Sequence, residues 1–261
     1  MPDPPRLYTD LARLWPHLSP PDHYAAEANA VADLIDQALG PPPADQRWSV
    51  LELGAGGGHT LHHFADRFDC VAADLSPPML DHCKALNPAV PTVLGDMRDL
   101  RLDQRFDAVL IHDAVDYMLT QPDAAAACDT AAAHLRPGGL AIIAPTYTTQ
   151  TFVNGDVADD GTTIPGIAGD EELTYFTFVH DPEPADTQFE MILLYLLRDP
   201  QTRQVQVIED RHACGLFSVE QWCAMMQAAG LDTEPLLTAP AQDADQNDLS
   251  GWSTIFLGTK A

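Results

Sequence analysis

The chain has 261 residues, of which 46% are hydrophobic, so it can bury the core of one α/β domain and still carry a sizeable insertion. Thirty-nine acidic residues against thirteen basic ones give a formal net charge of -26, which disfavours nucleic acids and anionic membrane surfaces as partners. Residues 1–6 are proline-rich and acidic, and no apolar run is long enough to cross a bilayer, so we expect a cytoplasmic protein.

Five cysteines are widely spaced along the chain, and no pair forms a C-x-x-C motif. An odd number without that spacing predicts neither a zinc cluster nor a disulfide framework. We therefore expect no metal site, and we expect the thiols to be small core residues. The five are Cys70, Cys83, Cys128, Cys214 and Cys223.

The first predicted helix covers residues 23–39 and follows a short polar start. Apolar residues such as Val31 and Ile35 recur near one face, and Gly40 followed by three prolines ends the helix. Apolar strands then alternate with helical stretches, which predicts an α/β fold with a doubly wound, mostly parallel sheet. The strands are expected near residues 48–53, 69–74, 91–94, 107–112 and 139–145.

Residues 147–212 interrupt this alternation. A glycine- and aspartate-rich stretch over residues 154–170 precedes three strand-like runs that are joined by polar turns. This pattern predicts an antiparallel sheet inserted after the fifth strand. The three runs cover residues 173–180, 188–198 and 204–212.

The α/β pattern resumes with a helix over residues 218–229, in which Ser218 is the expected N-cap and Glu220 follows closely. Strands are expected near residues 231–237 and 252–258. The predicted division is an N-terminal helical segment with the first part of the core, then the inserted sheet, then the C-terminal part of the core. These three parts cover residues 1–146, 147–212 and 213–261.

The stretch over residues 50–60 joins an apolar strand to the sequence Gly54-Ala55-Gly56-Gly57-Gly58. Glycines let the backbone turn tightly and approach a ligand closely, while the following helix points its NH groups at that ligand. Asp74 closes the next apolar run, where its carboxylate can accept both hydroxyls of a ribose. Together these features predict a bound nucleoside cofactor.

The choice of cofactor lies between a dinucleotide and S-adenosylmethionine. The glycines are spaced G-x-G-G-G rather than G-x-G-x-x-G, and Glu52 stands two residues before the turn. A carboxylate at that position would repel a pyrophosphate, whereas it suits a ligand that carries an ammonium and a sulfonium. The sequence therefore favours S-adenosylmethionine.

Five segments, taken in order, resemble the motifs of the class I S-adenosylmethionine-dependent methyltransferases. They are the glycine turn, Asp74 and residues 95–100, 106–111 and 135–140. The resemblance implies a Rossmann-like, seven-stranded, mostly parallel methyltransferase sheet and S-adenosylmethionine as the cofactor. The insertion and residues 22–28 and 215–222 are similar to those of small-molecule N,N-dimethyltransferases that act on nucleotide-linked amino sugars.

The resemblance also implies where the cofactor lies. Its methionine end is expected over the glycine turn with the ammonium near Glu52, its ribose on Asp74, and its adenine between Asp96 and Met97. Met79 is expected beside the adenosine, although it could equally be ordinary core. The full set of expected cofactor contacts is Tyr24, Glu52, Gly54, Ala55, Gly56, His59, Asp74, Leu75, Met79, Asp96, Met97 and Ile111.

The segment after the fourth strand, residues 111–118, is expected to converge on the reacting methyl group. Methyl transfer mainly needs alignment and exclusion of water, but a protonated amine must first lose a proton, so a nearby carboxylate or imidazole is useful. His112 could instead cap the strand end, and Asp116 could start a helix. The candidate catalytic residues are His112, Asp113, Asp116 and Tyr117.

Aromatic residues of the N-terminal region and of the insertion are candidates for a lid over the substrate, with the insertion's own core as the alternative. They are Trp15, Tyr24, Tyr175, Phe176, Tyr195 and His212.

The predicted function is methyl transfer from S-adenosylmethionine to a small-molecule acceptor, with an amine preferred to a hydroxyl. The expected partner is that small molecule, with neither nucleic acid nor membrane, and the inserted sheet is also a candidate platform for a homodimer. A nicotinamide-dependent oxidoreductase and a non-catalytic cofactor-binding protein are the alternatives.

Overall fold

Two sheets organise the chain in the computed structural model, which describes residues 4–167, 171–237 and 254–261. Within these ranges the larger sheet has seven strands and the smaller one has four. The strands are β1 (Ser49–Leu53), β2 (Asp69–Asp74), β3 (Thr92–Leu94), β4 (Phe106–Ile111), β5 (Leu135–Ile143), β6 (Val157–Ile167), β7 (Glu171–His180), β8 (Gln188–Arg198), β9 (Val205–Gly215), β10 (Leu231–Leu237) and β11 (Thr254–Lys260).

The larger sheet has the order β10-β11-β5-β4-β1-β2-β3. Strands β1 to β5 are paired in parallel, whereas β11 lies antiparallel to β5 and β10 antiparallel to β11. The predicted α/β fold with a mostly parallel sheet is confirmed. Because the strand order reverses between β1 and β4, a ligand site is expected beyond the carboxyl ends of these two strands.

Helices cover both faces of this sheet, and their ends follow local sequence rules. Ser76, Thr120 and Ser218 each accept a hydrogen bond from a first-turn NH group, and Ser218 forms a capping box with Gln221. None of the helices within the described residues is long and apolar enough to cross a membrane. The α-helices are α1 (Trp15–Leu18), α2 (Ala25–Leu39), α3 (His59–Phe64), α4 (Pro77–Leu86), α5 (Gln121–His134) and α6 (Val219–Ala228).

Alternating side chains of the central strands bury two separate cores. Leu51 and Val109 pack with α5 and α6 on one face, while Val50 and Leu110 pack with α2 and α3 on the other. All six residues of β4 are buried, which makes it the most enclosed strand next to the site. The cysteines, predicted to be core residues, are all free thiols, and each is buried except the half-buried Cys223.

The smaller sheet is the predicted insertion, and it is antiparallel in the order β6-β7-β8-β9. Three strands were expected, but the described residues contain a fourth, β6, inside the stretch interpreted as a glycine- and aspartate-rich connection. Its pairing with β7 shifts register three times, so the two-residue period that marks a strand is broken in the sequence. Residues 168–170 of that stretch, and residues 252 and 253 of the last predicted strand, lie outside the described residues.

Residues 6–24, here named the N-terminal segment, are not the polar start that the sequence analysis expected. The segment forms short helical turns whose leucines Leu7, Leu11, Leu14 and Leu18 are buried against β7, β8 and β9. It also crosses to the larger sheet, because the backbone oxygen of Tyr8 accepts a hydrogen bond of 2.6 Å from Ser76. The segment therefore spans both sheets above the carboxyl ends of β1 and β2.

Gly54 and Gly138 provide a matched pair of substitutions, because both adopt a φ of +78°. A Cβ at Gly54 would overlap the Cβ of Ala114, whereas a Cβ at Gly138 would meet nothing within 4 Å. We expect Gly138→Ala to cost about 1–2 kcal/mol of unfolding free energy through the left-handed backbone alone. Gly54→Ala should cost clearly more in urea denaturation, and equal losses would contradict the crowding at Gly54.

Candidate active site

The glycine turn after β1 is held against the end of β2. The NH groups of Gly54 and Ala55 both donate to the carbonyl oxygen of Ala73, at 2.8 and 3.0 Å. Gly54, Gly56 and Gly58 all have positive φ values, which other residues rarely adopt. The turn therefore lies beyond the carboxyl end of the sheet, with Gly54 and Gly56 partly exposed and Gly57 and Gly58 buried.

Asp74 lies at the end of β2, beside this turn. Its Oδ2 accepts a hydrogen bond from the NH of Gly56 at 2.8 Å, and its Oδ1 accepts one from the NH of Ser76 at 2.7 Å. Burial raises the pKa of Asp74, and these NH groups oppose the rise. Each carboxylate oxygen can accept a further hydrogen bond, and the adjacent Leu75 leaves 63% of its surface exposed. The end of β2 therefore offers carboxylate oxygens that can accept hydrogen bonds, next to the exposed apolar side chain of Leu75.

Glu52 is buried under the glycine turn, with 2% of its surface exposed. Burial raises its pKa to about 8, the nearby Glu27 and Asp74 add to the rise, and His112 opposes it. Its Oε2 atom is buried and has no hydrogen-bond partner among the described residues. A cation bound beside Glu52 would favour the ionised carboxylate and give this oxygen a partner.

His112 follows β4 and forms an ion pair with the N-terminal part of α2. Its Nε2 lies 2.5 Å from Oε1 of Glu27 and 3.2 Å from Oδ1 of Asp113. Burial lowers the pKa of His112, but Asp113, Glu27 and Glu52 outweigh it and raise the pKa to about 9. The imidazole is therefore protonated at neutral pH and cannot accept a further proton there.

A cavity of about 300 Å³ lies between the N-terminal segment, the inserted sheet and the short 3-10 helix Asp113–Tyr117. Asp113, Asp116 and Tyr117 line it, whereas His112 does not appear in its wall. The other side of the 3-10 helix packs on the glycine turn, through Ala114 against Gly54. This helix is therefore the shared wall between the turn and the cavity.

Asp116 is the buried carboxylate of the cavity wall, with 3% of its surface exposed. Burial and the neighbouring Asp113 raise its pKa well above the ordinary range. The NH of Thr146 donates to both of its oxygens at 3.2 Å. The Asp113 side chain is 54% exposed by comparison, so the two carboxylates occupy different environments.

Tyr117 belongs to a chain of polar groups that the sequence analysis missed. Its hydroxyl lies 2.9 Å from the hydroxyl of Tyr8 and 2.8 Å from Nδ1 of His212, whose Nε2 lies 3.0 Å from Oδ2 of Asp210. Burial opposes ionisation of Asp210, but His212 and the backbone NH groups of Arg6 and Leu7 keep its pKa below the usual value. Ionised Asp210 holds the ring through Nε2, which places Nδ1 against the Tyr117 hydroxyl, while that hydroxyl donates its hydrogen to Tyr8.

A local signal for this chain exists in the sequence. Asp210 and His212 are two residues apart on a predicted strand and therefore share one face. The same carboxylate also accepts hydrogen bonds from the NH groups of Arg6 and Leu7, at 3.0 and 2.8 Å. The pattern of the sequence cannot predict these contacts with Arg6 and Leu7, because they join residues more than two hundred positions apart.

Four expected cofactor residues have surroundings that the sequence did not indicate. The carboxylate of Asp96 forms a two-point ion pair with Arg98, with Nη2 to Oδ2 at 2.6 Å and Nε to Oδ1 at 3.0 Å. Met79 and Ile111 are fully buried, which for Met79 favours the core alternative. Met97 lies next to the turn, with its Cε 3.0 Å from where a Cβ of Gly54 would be.

Trp15 covers the outer part of the glycine turn. Its Nε1 lies 2.6 Å from where a Cβ of Gly57 would be, and its ring stacks on His59 with 5.7 Å between centroids. Tyr24 meets the same His59 ring edge-on, and burial lowers the pKa of His59 to about 4. The indole therefore occupies the space beside Gly57, whereas it lies 4.0 Å from where a Cβ of Gly56 would be.

The expected aromatic lid is only partly formed. Trp15, Tyr24, Tyr175 and His212 line the cavity. Phe176 and Tyr195 do not line it, and Tyr195 agrees with the alternative of the insertion's own core. Odd-numbered residues of β7 face the cavity, which turns Phe176 to the other side, and Tyr195 packs within the leucine core under the N-terminal segment.

Comparisons with known proteins agree with this geometry. The family profile described as "Methyltransferase domain" matches residues 50–139. The dTDP-3-amino-3,4,6-trideoxy-alpha-D-glucopyranose N,N-dimethyltransferase of Streptomyces venezuelae is 32% identical over 220 residues, which cover 84% of this chain and 87% of that protein.

Solved structures extend the similarity to the whole fold. The crystal structure of Streptomyces venezuelae DesVI matches with a TM-score of 0.78 at 27% identity, covering 97% of this chain and 98% of that one. The S-adenosylmethionine-bound structure of CalS10, an amino pentose methyltransferase from Micromonospora echinaspora, matches with a TM-score of 0.73 at 25% identity, covering 91% and 92%.

The raised pKa of Glu52 predicts how stability depends on pH. The folded state holds a proton on Glu52 from about pH 4.5 to about 8, where the unfolded state has lost it, so this group lowers stability as pH rises. Glu52→Gln should therefore lose less unfolding free energy than the wild type between pH 5 and 7 in urea denaturation. Glu234→Gln, at an exposed position of β10, is the control, and an unchanged slope in Glu52→Gln would refute the assignment.

Proposed function

This chain belongs to the S-adenosylmethionine-dependent methyltransferases, and we propose that it transfers the methyl group to the amine of a small molecule held in the cavity. One observation carries this proposal. Ala114 packs on Gly54, while its neighbours Asp113 and Asp116 line the cavity. A ligand on the glycine turn therefore lies across one short helical turn from a second ligand in the cavity.

The described residues fit S-adenosylmethionine at the turn. The unpartnered Oε2 of Glu52 can take the ammonium of the methionine end, and the free acceptor capacity of Asp74 can take the ribose hydroxyls. Leu75 and Met97 offer apolar surfaces for the adenine, while Asp96 would keep Arg98 as its main partner. When bound, this cofactor supplies an electrophilic methyl group on its sulfonium.

The acceptor chemistry depends on removal of one proton. An amine is mainly protonated at neutral pH, and its ammonium is attracted by Asp113 and Asp116. Burial and Asp113 raise the pKa of Asp116, and an ammonium bound beside it favours the ionised form, so in the complex the carboxylate can accept the amine proton. With the cofactor bound, the freed nitrogen would be the nucleophile for the sulfonium methyl group, S-adenosylhomocysteine would be the leaving group, and Asp116 would hold the proton.

Tyr117 is proposed to position the acceptor rather than to ionise. Burial and Tyr8 raise its pKa well above 10, so the hydroxyl stays neutral. Asp210 and His212 fix that hydroxyl at the cavity wall, where it can contact the amine. His112 is proposed to support Glu52 and Glu27 electrostatically, because its own proton is held by the carboxylates around it.

An amino sugar is the proposed class of amine. The support is the similarity to the sugar N,N-dimethyltransferase of Streptomyces venezuelae and to the amino pentose methyltransferase CalS10. A hydroxyl acceptor is less favoured, because it carries no positive charge for the two carboxylates of the cavity to attract. The homodimer stays a prediction. Val205 and Val207 of β9 leave apolar surface exposed, which is compatible with a contact between two copies. A measurement of the protein's mass in solution tests this prediction.

The first test is turnover. We expect S-adenosylmethionine and methyl glycosides of 3-amino and 4-amino sugars to give S-adenosylhomocysteine and N-methylated product in mass spectrometry. O-methylated product, or no transfer to any amine, would contradict the proposal.

Asp74→Ala tests the cofactor site separately. We expect calorimetry to show S-adenosylhomocysteine binding weakened by about 1.5–3 kcal/mol, because a hydrogen-bonded carboxylate is lost. Asp81→Ala, an exposed carboxylate on the neighbouring α4, should bind as the wild type does. Equal affinities of the wild type, Asp74→Ala and Asp81→Ala for S-adenosylhomocysteine would show that Asp74 does not bind the ribose.

Asp116→Asn tests the proton acceptor. We expect kcat at neutral pH to fall by about 10²-fold, the usual scale of one general base, with S-adenosylhomocysteine affinity unchanged. The loss should shrink as pH rises, because a larger fraction of the amine is then already deprotonated. A kcat equal to that of the wild type would exclude Asp116 from this role.

A further inference from the structure

Resting on the proposed function, we infer that Tyr8 determines acceptor specificity, and that its hydroxyl forms a hydrogen bond with a hydroxyl group on the carbon next to the amine. Such an acceptor is a vicinal amino alcohol, a narrower class than small amines in general. The hydrogen-bond chain that ends at Tyr8, and the contacts that hold this residue in the cavity wall, support this specificity.

The hydrogen-bond chain runs from Asp210 to the cavity. Ionised Asp210 lies 3.0 Å from Nε2 of His212, and Nδ1 of the same ring lies 2.8 Å from the Tyr117 hydroxyl. That hydroxyl donates its only hydrogen to the hydroxyl of Tyr8, which is 2.9 Å away. Because each hydroxyl carries one hydrogen, Tyr8 keeps its own for a further partner.

The Tyr8 hydroxyl is the end of this chain within the part of the protein that the structure describes. Tyr8 lines the cavity together with Asp113, Asp116 and Tyr117, and no other described side chain is hydrogen-bonded to its hydroxyl. Burial raises the pKa of Tyr8 well above its usual value, so the hydroxyl keeps its hydrogen at neutral pH. The cavity therefore combines two carboxylates, which attract an amine, with a tyrosine hydroxyl that can bind an oxygen.

Tyr8 is held through both its backbone and its ring. Its carbonyl oxygen accepts a hydrogen bond of 2.6 Å from Ser76, and the NH groups of the two preceding residues donate to Asp210. The ring meets Tyr117 edge-on, with 5.5 Å between centroids, and its centroid lies 5.6 Å from that of His212. A hydroxyl fixed in this way can discriminate between ligands, because little side-chain freedom is lost when a ligand binds.

The spacing of the two tyrosine hydroxyls sets the position of the oxygen on the acceptor. Tyr117 is proposed to contact the amine, and the Tyr8 hydroxyl lies 2.9 Å from the Tyr117 hydroxyl. Polar groups on adjacent carbons of one ligand have a similar separation, so an amine and its neighbouring hydroxyl can contact Tyr117 and Tyr8 together. A hydroxyl suits this end of the chain in either direction, because it both donates and accepts. An acceptor without it would leave the Tyr8 hydroxyl unpaired beside the ligand.

The first test compares two acceptors that differ in one oxygen. A 3-amino sugar with a hydroxyl on C2 and its 2-deoxy counterpart are each supplied as the methyl glycoside and as the dTDP-linked sugar, together with S-adenosylmethionine. We expect the wild type to favour the C2 hydroxyl by at least about tenfold in kcat/KM, because the deoxy sugar leaves a polar group unpaired. A wild type without this preference would overturn the inference alone, whereas no methylation of any of the four sugars would overturn the proposed function itself.

Tyr8→Phe tests whether this preference belongs to one hydroxyl. The variant keeps the aromatic ring, so we expect the kcat/KM values of the two sugars to become nearly equal, while the affinity for S-adenosylhomocysteine stays that of the wild type. A tyrosine with a merely structural role would lower both values by the same factor and leave their ratio unchanged, which would overturn the inference.

Tyr195→Phe is the matched control, because it removes a buried tyrosine hydroxyl that lies outside the cavity. We expect it to keep the wild-type ratio between the two sugars. The same loss of preference in both variants would show that the Tyr8 hydroxyl is not the source of the specificity.

A crystal structure of the unmodified protein gives a readout that does not depend on any variant. With S-adenosylhomocysteine and the 3-amino sugar bound, we expect the C2 oxygen at about 2.5–3.0 Å from Oη of Tyr8, the distance of a hydrogen bond between two oxygens. An amine in the cavity with the C2 oxygen outside hydrogen-bond distance of Tyr8 would overturn the inference, and an amine bound outside the cavity would overturn the proposed function.

Discussion

The contact between the backbone of Gly54 and Ala114 is the constraint on which the rest of the site depends. It brings the turn after β1 against the 3-10 helix after β4, with no room for a side chain between them. Since that helix also carries Asp113 and Asp116, the glycine turn and the cavity share a wall. A ligand at the turn and an amine in the cavity would therefore be separated only by the 3-10 helix Asp113–Tyr117.

The N-terminal segment closes the site by joining the two sheets. Its leucines are buried against the inserted sheet, Asp210 accepts hydrogen bonds from its first NH groups, and Ser76 binds its backbone above β2. Trp15 and Tyr24 then lie over the glycine turn and at the cavity. The same segment therefore covers part of the glycine turn and forms part of the cavity wall.

Much of the fold could be predicted because its signals are local. The glycine turn, Asp74 and the buried parallel strands each follow from a short run of residues, and all three are present as expected. Strand β6 was missed because its register shifts hide the two-residue period. The N-terminal segment was missed although Leu7, Leu11, Leu14 and Leu18 recur at helical spacing, because prolines and short turns divide it.

The site was less predictable, since it depends on contacts between distant residues. Asp113, Asp116 and Tyr117 do line the cavity, but the ion pair that fixes His112 joins it to Glu27 on another helix. The link from Tyr117 through His212 to Asp210 likewise crosses between the sheets. The alternation along β7 predicts that Tyr175 and Phe176 lie on opposite faces of the sheet. It does not predict which of the two faces the cavity.

A crystal structure of the protein with S-adenosylhomocysteine would test the central claim most directly. We expect the adenosyl group beside Asp74, the amino group within hydrogen-bond distance of Glu52, and the sulfur at the edge of the 3-10 helix, facing the cavity. Density for the adenosyl group at another place, or a sulfur atom shielded from Asp113 and Asp116 by the protein, would contradict the account.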